Sequence, residues 1–247
     1  MSTGKNIGVI GFGQFGRLAA ELLSTRFSVG VHDPKADAAT IEAAGFAAFS
    51  LEEAAARDVV IIAVPIQAME GVIRDIAPMV HAGATVIEVA SVKTMPGEWL
   101  MKYLPESVHI VSAHPLFGPQ SVARDGLAGR QLVLCPVRGE QHLKVAALGE
   151  DMGLRVRIVS AEEHDREMAY VQALTHLIGR TLSAMEIPDE SLKTQTYQHL
   201  LDMCSLIGND TFELFTAMQV MNPFAAEVVD DFIGRAEDLL ASARGTP

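Results

Sequence analysis

Over its first two thirds the chain alternates short apolar runs with amphipathic stretches; after that it is helical in pattern throughout. Residues 6–10, Asn-Ile-Gly-Val-Ile, form an apolar run leading into three glycines, and Arg17 to Ser24 repeats at helical spacing. Ser28–His32 is a second apolar run. Ser50-Leu-Glu-Glu53 is a capping-box pattern that opens a short helix. Asp58–Val64 is unbroken in apolar character, as expected of a strand buried on both faces, and ends at Pro65. Gln67 to Met79 is amphipathic, with Met69, Val72, Ile73 and Ile76 on one side. Thr85–Ala90 and Val108–Val111 are further strands, and runs at Gln131–Cys135 and Arg155–Val159 extend the sheet around a helix near 140–152. Strands alternating with helices in this way predict an α/β fold with a Rossmann-like, doubly wound parallel sheet.

At Ser160 the pattern changes. Ser160-Ala-Glu-Glu163 is a second capping box, and the helix it opens runs unbroken to about Met185. Three more helical segments follow, roughly 189–207, 210–220 and 223–244, punctuated by Pro188, Gly208-Asn209 and Asn222-Pro223. The predicted division is therefore a dinucleotide-binding domain over 1–159 and a helical substrate and dimerisation domain over 160–247. Several of the late helices carry apolar residues on more than one face. Such helices need burial on both sides, which predicts a homodimer built through this region.

Composition narrows the function classes. The 247 residues are 49% hydrophobic and 20% charged, as in an ordinary globular protein. No apolar run approaches the roughly 18 residues of a membrane span. The N-terminus passes directly into a strand, which predicts no signal peptide. Cys135 and Cys204 lack metal-ligand or disulfide-framework spacing, so a reducing cytoplasm and no metal site are expected. A net charge of −12 argues against nucleic acid and anionic membrane as partners. An anionic substrate must then be held by local positive groups.

Two stretches carry the chemistry. Gly11-Phe12-Gly13-Gln14-Phe15-Gly16 places glycines at the first, third and sixth positions, for a tight turn, close approach of a pyrophosphate, and close helix–sheet packing. The helix that follows offers free N–H groups and its positive dipole end to phosphates. Asp33 lies 22 positions after Gly11, at the end of the next strand. A carboxylate there accepts hydrogen bonds from the adenosine ribose and repels a 2′-phosphate, favouring NAD over NADP, although Lys35 stands close by. The second stretch is Ser112-Ala-His114-Pro115-Leu-Phe-Gly118-Pro119-Gln-Ser121. Pro115 biases His114 away from the helical region, and Gly118-Pro119 turns the chain again. An imidazole held in an extended loop at the C-terminal end of a strand sits where open α/β sheets place ligands. Ser91 and Lys93 emerge from another strand end, and His176 lies in the helical stretch 172–180.

Together these stretches resemble the prephenate (cyclohexadienyl, arogenate) dehydrogenases of tyrosine biosynthesis. The matching segments are 11–16, Ala-Val-Pro-Ile at 63–66, Ala-Ser-Val-Lys at 90–93, His-Pro-Leu-Phe-Gly-Pro at 114–119, and Ser-Ala-Glu-Glu-His-Asp at 160–165 leading into Gln-Ala-Leu-Thr-His at 172–176. They occur in family order and cover residues 5 to about 186. The resemblance implies NAD-dependent oxidative decarboxylation of prephenate to 4-hydroxyphenylpyruvate. It implies that His114 takes the proton of the substrate hydroxyl, that Ser91 bonds the same hydroxyl or orients His114, and that Lys93 brings positive charge to substrate or cofactor. His176 would face the substrate from a helix. The glycine loop at 11–16, Asp33, Val64 and Pro65 would line the cofactor. One departure stands out: the family's carboxylate-clamping arginine in the later helices has no counterpart, since no arginine lies between Arg180 and Arg235. Arg180, one turn beyond His176, is the expected substitute. Arogenate or an amino-substituted prephenate analogue is the alternative substrate. A non-catalytic dinucleotide sensor and a different small-acid oxidoreductase are the alternative classes; Ser91, Lys93 and His114 occurring together argue against the first, and the His-Pro-Leu-Phe-Gly-Pro motif argues against the second.

Overall fold

The computed structural model describes residues 5–190, 192–207 and 210–245. The chain divides into two compact units, Met1–His164 and Asp165–Pro247, five residues later than the sequence pattern places the boundary.

The first unit is built on an eight-stranded sheet. In chain order its elements are β1 (Asn6–Ile10), α1 (Gln14–Ser24), β2 (Ser28–His32), α2 (Ala38–Ala43), β3 (Ala47–Ala48), α3 (Leu51–Ala55), β4 (Val59–Ile62) and α4 (Ile66–Ile76). They continue with β5 (Thr85–Glu88), α5 (Thr94–Tyr103), β6 (His109–Pro115), α6 (Pro119–Asp125), β7 (Gln131–Arg138), α7 (Gln141–Asp151) and β8 (Arg155–Ile158). The strand order is β3-β2-β1-β4-β5-β6-β7-β8. Alternate residues of each inner strand enter different cores: Val59 and Ile61 of β4 join one apolar cluster, Val60 and Ile62 the other. Each such Val or Ile, fully buried, contributes about 1.5–3 kcal/mol. That two-sided burial is why β4 reads as a continuous apolar run. The first crossovers build outward from β1 on one side and the later ones on the other, so a crevice forms at the C-terminal ends of β1 and β4.

Three features differ from the expected pattern. The sheet is parallel except at β6–β7, which pair antiparallel. The cause is local: the Leu116 N–H donates to the Gln131 carbonyl at 3.0 Å, so the chain from 116 to 130 closes on itself at the end of β6 and returns beside it. This segment and residues 94–103 also hold two helices, α6 and α5, that the hydrophobic pattern did not reveal. Finally, His114 lies not in a loop but inside β6, paired across the ladder with Val133.

The second unit is helical. Helix α8 (Ala161–Met168), whose first turn ends the first unit, runs into a π-helical segment, Ala169–Leu174, then α9 (Thr175–Ala184), and α10 (Gln195–Ile207), α11 (Phe212–Val220) and α12 (Ala225–Arg244) follow. The long helix after Ser160 is thus continuous but wound wider at 169–174. There the Thr175 hydroxyl donates to the Tyr170 carbonyl, five residues back. The described residues between Pro188 and Gln195 are non-helical, so α10 begins at Gln195 rather than near 189. A small core of Ala173, Met218 and Ala225 is tied by Asn222, whose buried amide donates to the Asp165 carbonyl at 2.8 Å. No described helix is long and apolar enough to cross a membrane.

Candidate active site

The glycine loop joins β1 to α1. Gly11 holds a φ of +108°, which a side chain would strain, and its N–H donates to the His32 carbonyl at 2.8 Å. A Cβ at Gly16 would stand 2.1 Å from the Gly11 carbonyl oxygen, so only glycine lets α1 begin this close to the turn. A Cβ at Gly13 would meet nothing within 4 Å, so the backbone there is open to an incoming group. No side chain caps α1 and no acid lies in its first turn, which leaves its N-terminal N–H groups for a phosphate. Asp33 closes the loop from β2: one carboxylate oxygen accepts the Phe12 N–H at 2.6 Å and the other the Lys35 N–H at 2.7 Å. Val64 is half-buried beyond β4, and Pro65 caps α4 in the open. These residues fit a dinucleotide: the turn, the uncapped helix end and the ribose-level carboxylate are all in place.

The second cluster lies at the adjoining strand ends of the same unit. His114 is 4% exposed, and its Nδ1 lies 2.8 Å from Nε2 of His164, which is itself buried at the head of α8. The two rings meet edge to face, with centroids 5.0 Å apart. Burial first, then the neighbouring His164 and the Lys93 ammonium, hold the His114 imidazole well below the ordinary value of 6.5. His114 is therefore neutral near pH 7 and able to accept a proton. Phe117, three residues on, meets Phe15 of the glycine loop with centroids 6.4 Å apart, so the nucleotide loop and the histidine segment touch. Ser91 is half-buried in the loop after β5.

Lys93, expected to bring positive charge to substrate or cofactor, is placed inside the protein. Its side chain is 0% exposed, ion-paired with the equally buried Glu88, and it donates to the Ala113 carbonyl at 2.7 Å. The physical reason is that a buried ammonium needs protein acceptors around it, and Glu88 supplies the charged one. His164 and Glu88 are the two site residues that sequence reasoning missed. The signal for His164 was its place in the 160–165 segment; for Glu88 it was an acid ending an otherwise apolar strand.

In the second unit, His176 and Arg180 stand one turn apart on α9, as their spacing requires. The His176 Nδ1 lies 3.6 Å from Asp210, and burial of the ring is the main cause of a lowered pKa. The Arg180 guanidinium donates to the Asp210 and Thr211 carbonyls and lies over the Phe212 and Phe215 rings. Its Nε is buried without a hydrogen-bond partner among the described residues.

One consequence concerns stability against pH. Unfolded histidine protonates near 6.5, and folded His114 only at lower pH. The stability that neutral His114 carries is complete above about 6.5 and is lost as pH falls from there through the depressed folded value. Thermal melts between pH 7.5 and 4.5 are expected to show a downward slope that is shallower in His114→Asn. An equal slope in the two proteins would place the acid sensitivity elsewhere.

The sequence matches the profile described as prephenate dehydrogenase, nucleotide-binding domain, over residues 28–157, and that described as TYRAAT1-like, C-terminal domain, over 181–239. It is 30% identical over 237 residues to "Arogenate dehydrogenase 1, chloroplastic" of Arabidopsis thaliana, covering 91% of this chain and 37% of that protein. It is 29% identical over 201 residues to a "Probable arogenate/prephenate dehydrogenase" of Methanocaldococcus jannaschii, covering 77% and 44%. The chain thus spans less than half the length of these two relatives. Among solved structures, the fold is similar to that of prephenate dehydrogenase from A. aeolicus in complex with hydroxyphenyl propionate and NAD+. The TM-score is 0.74 at 20% identity, over 99% of this chain and 91% of that one.

Proposed function

The chain belongs to the prephenate dehydrogenase family, and from that premise we propose that it oxidises a cyclohexadienyl acid, prephenate first, with loss of carbon dioxide. The observation that carries this is the buried His114 beside His164, on a segment whose Phe117 ring meets Phe15 of a glycine loop suited to a dinucleotide. NAD, when bound, supplies the hydride acceptor. Gly11, Phe12, Gly13, Gln14, Phe15 and Gly16 would hold its pyrophosphate, Asp33 its ribose, and Val64 and Pro65 would line it.

The residues of the chain handle the proton. We assign the His114 tautomer that donates from Nδ1 to His164 Nε2, which makes Nε2 the basic atom of the ring. It takes the proton of the ring hydroxyl as the carbinol carbon gives up hydride. The electrons of the breaking bond to the ring carboxylate complete the aromatic ring, and the proton returns to the phenolate oxygen. Ser91 bonds the same hydroxyl or orients His114. We propose His176 and Arg180 as the partners of the substrate carboxylates.

The relatives' names favour one further reading, arogenate in place of prephenate. A panel of both acids, with NADH and NADPH formation followed separately, tests the proposal. Oxidation of either with release of carbon dioxide supports the reaction class, and oxidation of neither refutes it. NAD is the expected cofactor, because Asp33 meets a 2′-phosphate with like charge. Asp33→Ser is expected to lower the preference for NAD over NADP by at least about tenfold, roughly 1.4 kcal/mol. A preference that Asp33→Ser leaves unchanged would move cofactor choice to another group, such as Lys35.

We further propose a homodimer through the helical unit, supported by exposed Val171, Phe212, Val220 and Leu239. Light scattering at micromolar concentration decides it.

A further inference from the structure

We propose that Lys93 is a positioning residue that clamps the peptide preceding His114 to the buried Glu88 carboxylate at the end of the neighbouring strand. The inference deepens the reading of His114 as the base and rests on it. It starts from where the ladder stops. β5 pairs with β6 only as far as Glu88 opposite Ser112, two residues short of His114. Beyond that point β6 has no strand beside it on the β5 side, and the Ala113 carbonyl takes the Lys93 ammonium at 2.7 Å. The lysine does there what another strand's N–H would do elsewhere. Its charge is met by one oxygen of Glu88, and the other oxygen of Glu88 accepts the Ala90 N–H at 2.7 Å. One buried pair thereby fixes the end of β5, the loop carrying Ser91, and the peptide entering His114.

A purely structural tie would not need a charge. Burying an ion pair is expensive, and apolar replacements are often as stable. What the charge adds is electrostatic. Among the described residues, the titratable groups acting on the His114 ring include His164 from α8 and the Lys93 ammonium, itself paired with Glu88, and a fixed cation disfavours a second positive charge on the ring. The clamp therefore aims the imidazole and adds to the burial that keeps it neutral.

The test is the double variant Lys93→Met/Glu88→Gln, which removes both charges together and leaves neither buried alone. Lys93→Met/Glu88→Leu serves if the first does not fold. In 13C-imidazole-labelled protein, the His114 titration is expected to move upward toward the ordinary histidine range. With substrate, kcat is expected to fall by about tenfold or more with KM within about twofold, and the acidic limb of the kcat profile to shift to higher pH. An unmoved His114 titration with kcat within about twofold of wild type overturns the proposal. A KM raised manyfold with kcat preserved overturns it too, in favour of direct substrate binding. The NMR arm needs no substrate, so wild-type protein inactive on both acids would sink the proposed function while the Lys93 question is still decided.

Discussion

His114→Asn lowers kcat by about 10²–10⁴-fold, the range over which a positioned general base contributes. Asparagine has about the reach of the imidazole Nδ1 and keeps a donor for His164, but it has no atom that gains a proton near neutral pH. The loss should therefore fall on turnover and not on binding. The dinucleotide dissociation constant is expected to stay within about twofold of wild type, since the glycine loop is built from β1, α1 and β2. The acidic limb of the pH profile should vanish with the base that causes it. His164→Asn, acting through His114, should cost less and keep the limb while moving it. Steady-state kinetics and cofactor titration on the same preparations separate these outcomes. His114→Asn with near-normal kcat removes the histidine from the mechanism.

How far the site could be read beforehand follows from the range of the interactions. The nucleotide loop is a local object: turn, uncapped helix and carboxylate lie within 23 residues, and each was legible as a residue type at a fixed offset. His114 was legible because two prolines and a glycine hem it in. Its partner was not. His164 lies 50 residues away, and nothing in helical periodicity tells that it turns toward a strand end. Glu88 was hidden differently, as one acid in the strand Thr85–Glu88 whose other residues carry the apolar signal. Lys93 was found but given the wrong environment, since a lysine in sequence carries no mark of complete burial. The reversal of β7 was illegible because the apolar runs at Val108–Val111 and Gln131–Cys135 lie more than a dozen residues apart, the length of a parallel crossover. The antiparallel ladder and the closing bond between Leu116 and Gln131 show that this one folds back.

Gly16→Ala is expected to damage both stability and dinucleotide binding, whereas Gly13→Ala should damage binding alone. At position 16 the new Cβ would lie 2.1 Å from the Gly11 carbonyl oxygen and 2.9 Å from its carbon. Both are backbone atoms, held by the Gly11 N–H bond to His32, so neither can swing aside. α1 must retreat from the turn, and overpacking of this kind typically destabilises by about 1–3 kcal/mol. In a chain of this size that lowers Tm by about 2–4 °C per kcal/mol. The same retreat carries the N-terminal N–H groups of α1 away from the phosphates, and affinity for NAD should drop by at least about tenfold. At position 13 a Cβ meets nothing within 4 Å, and the backbone there, at φ −67° and ψ −176°, suits alanine. Stability should change by no more than about 1 kcal/mol, the scale of an N-cap replacement. The methyl group nevertheless occupies the open approach to the loop, so binding weakens while Tm moves by no more than about 4 °C. Calorimetric titration with NAD beside thermal unfolding of the three proteins reads the contrast. If Gly16→Ala bound NAD as tightly as wild type at unchanged Tm, the close approach of α1 to the glycine turn would not be what makes this loop a dinucleotide site.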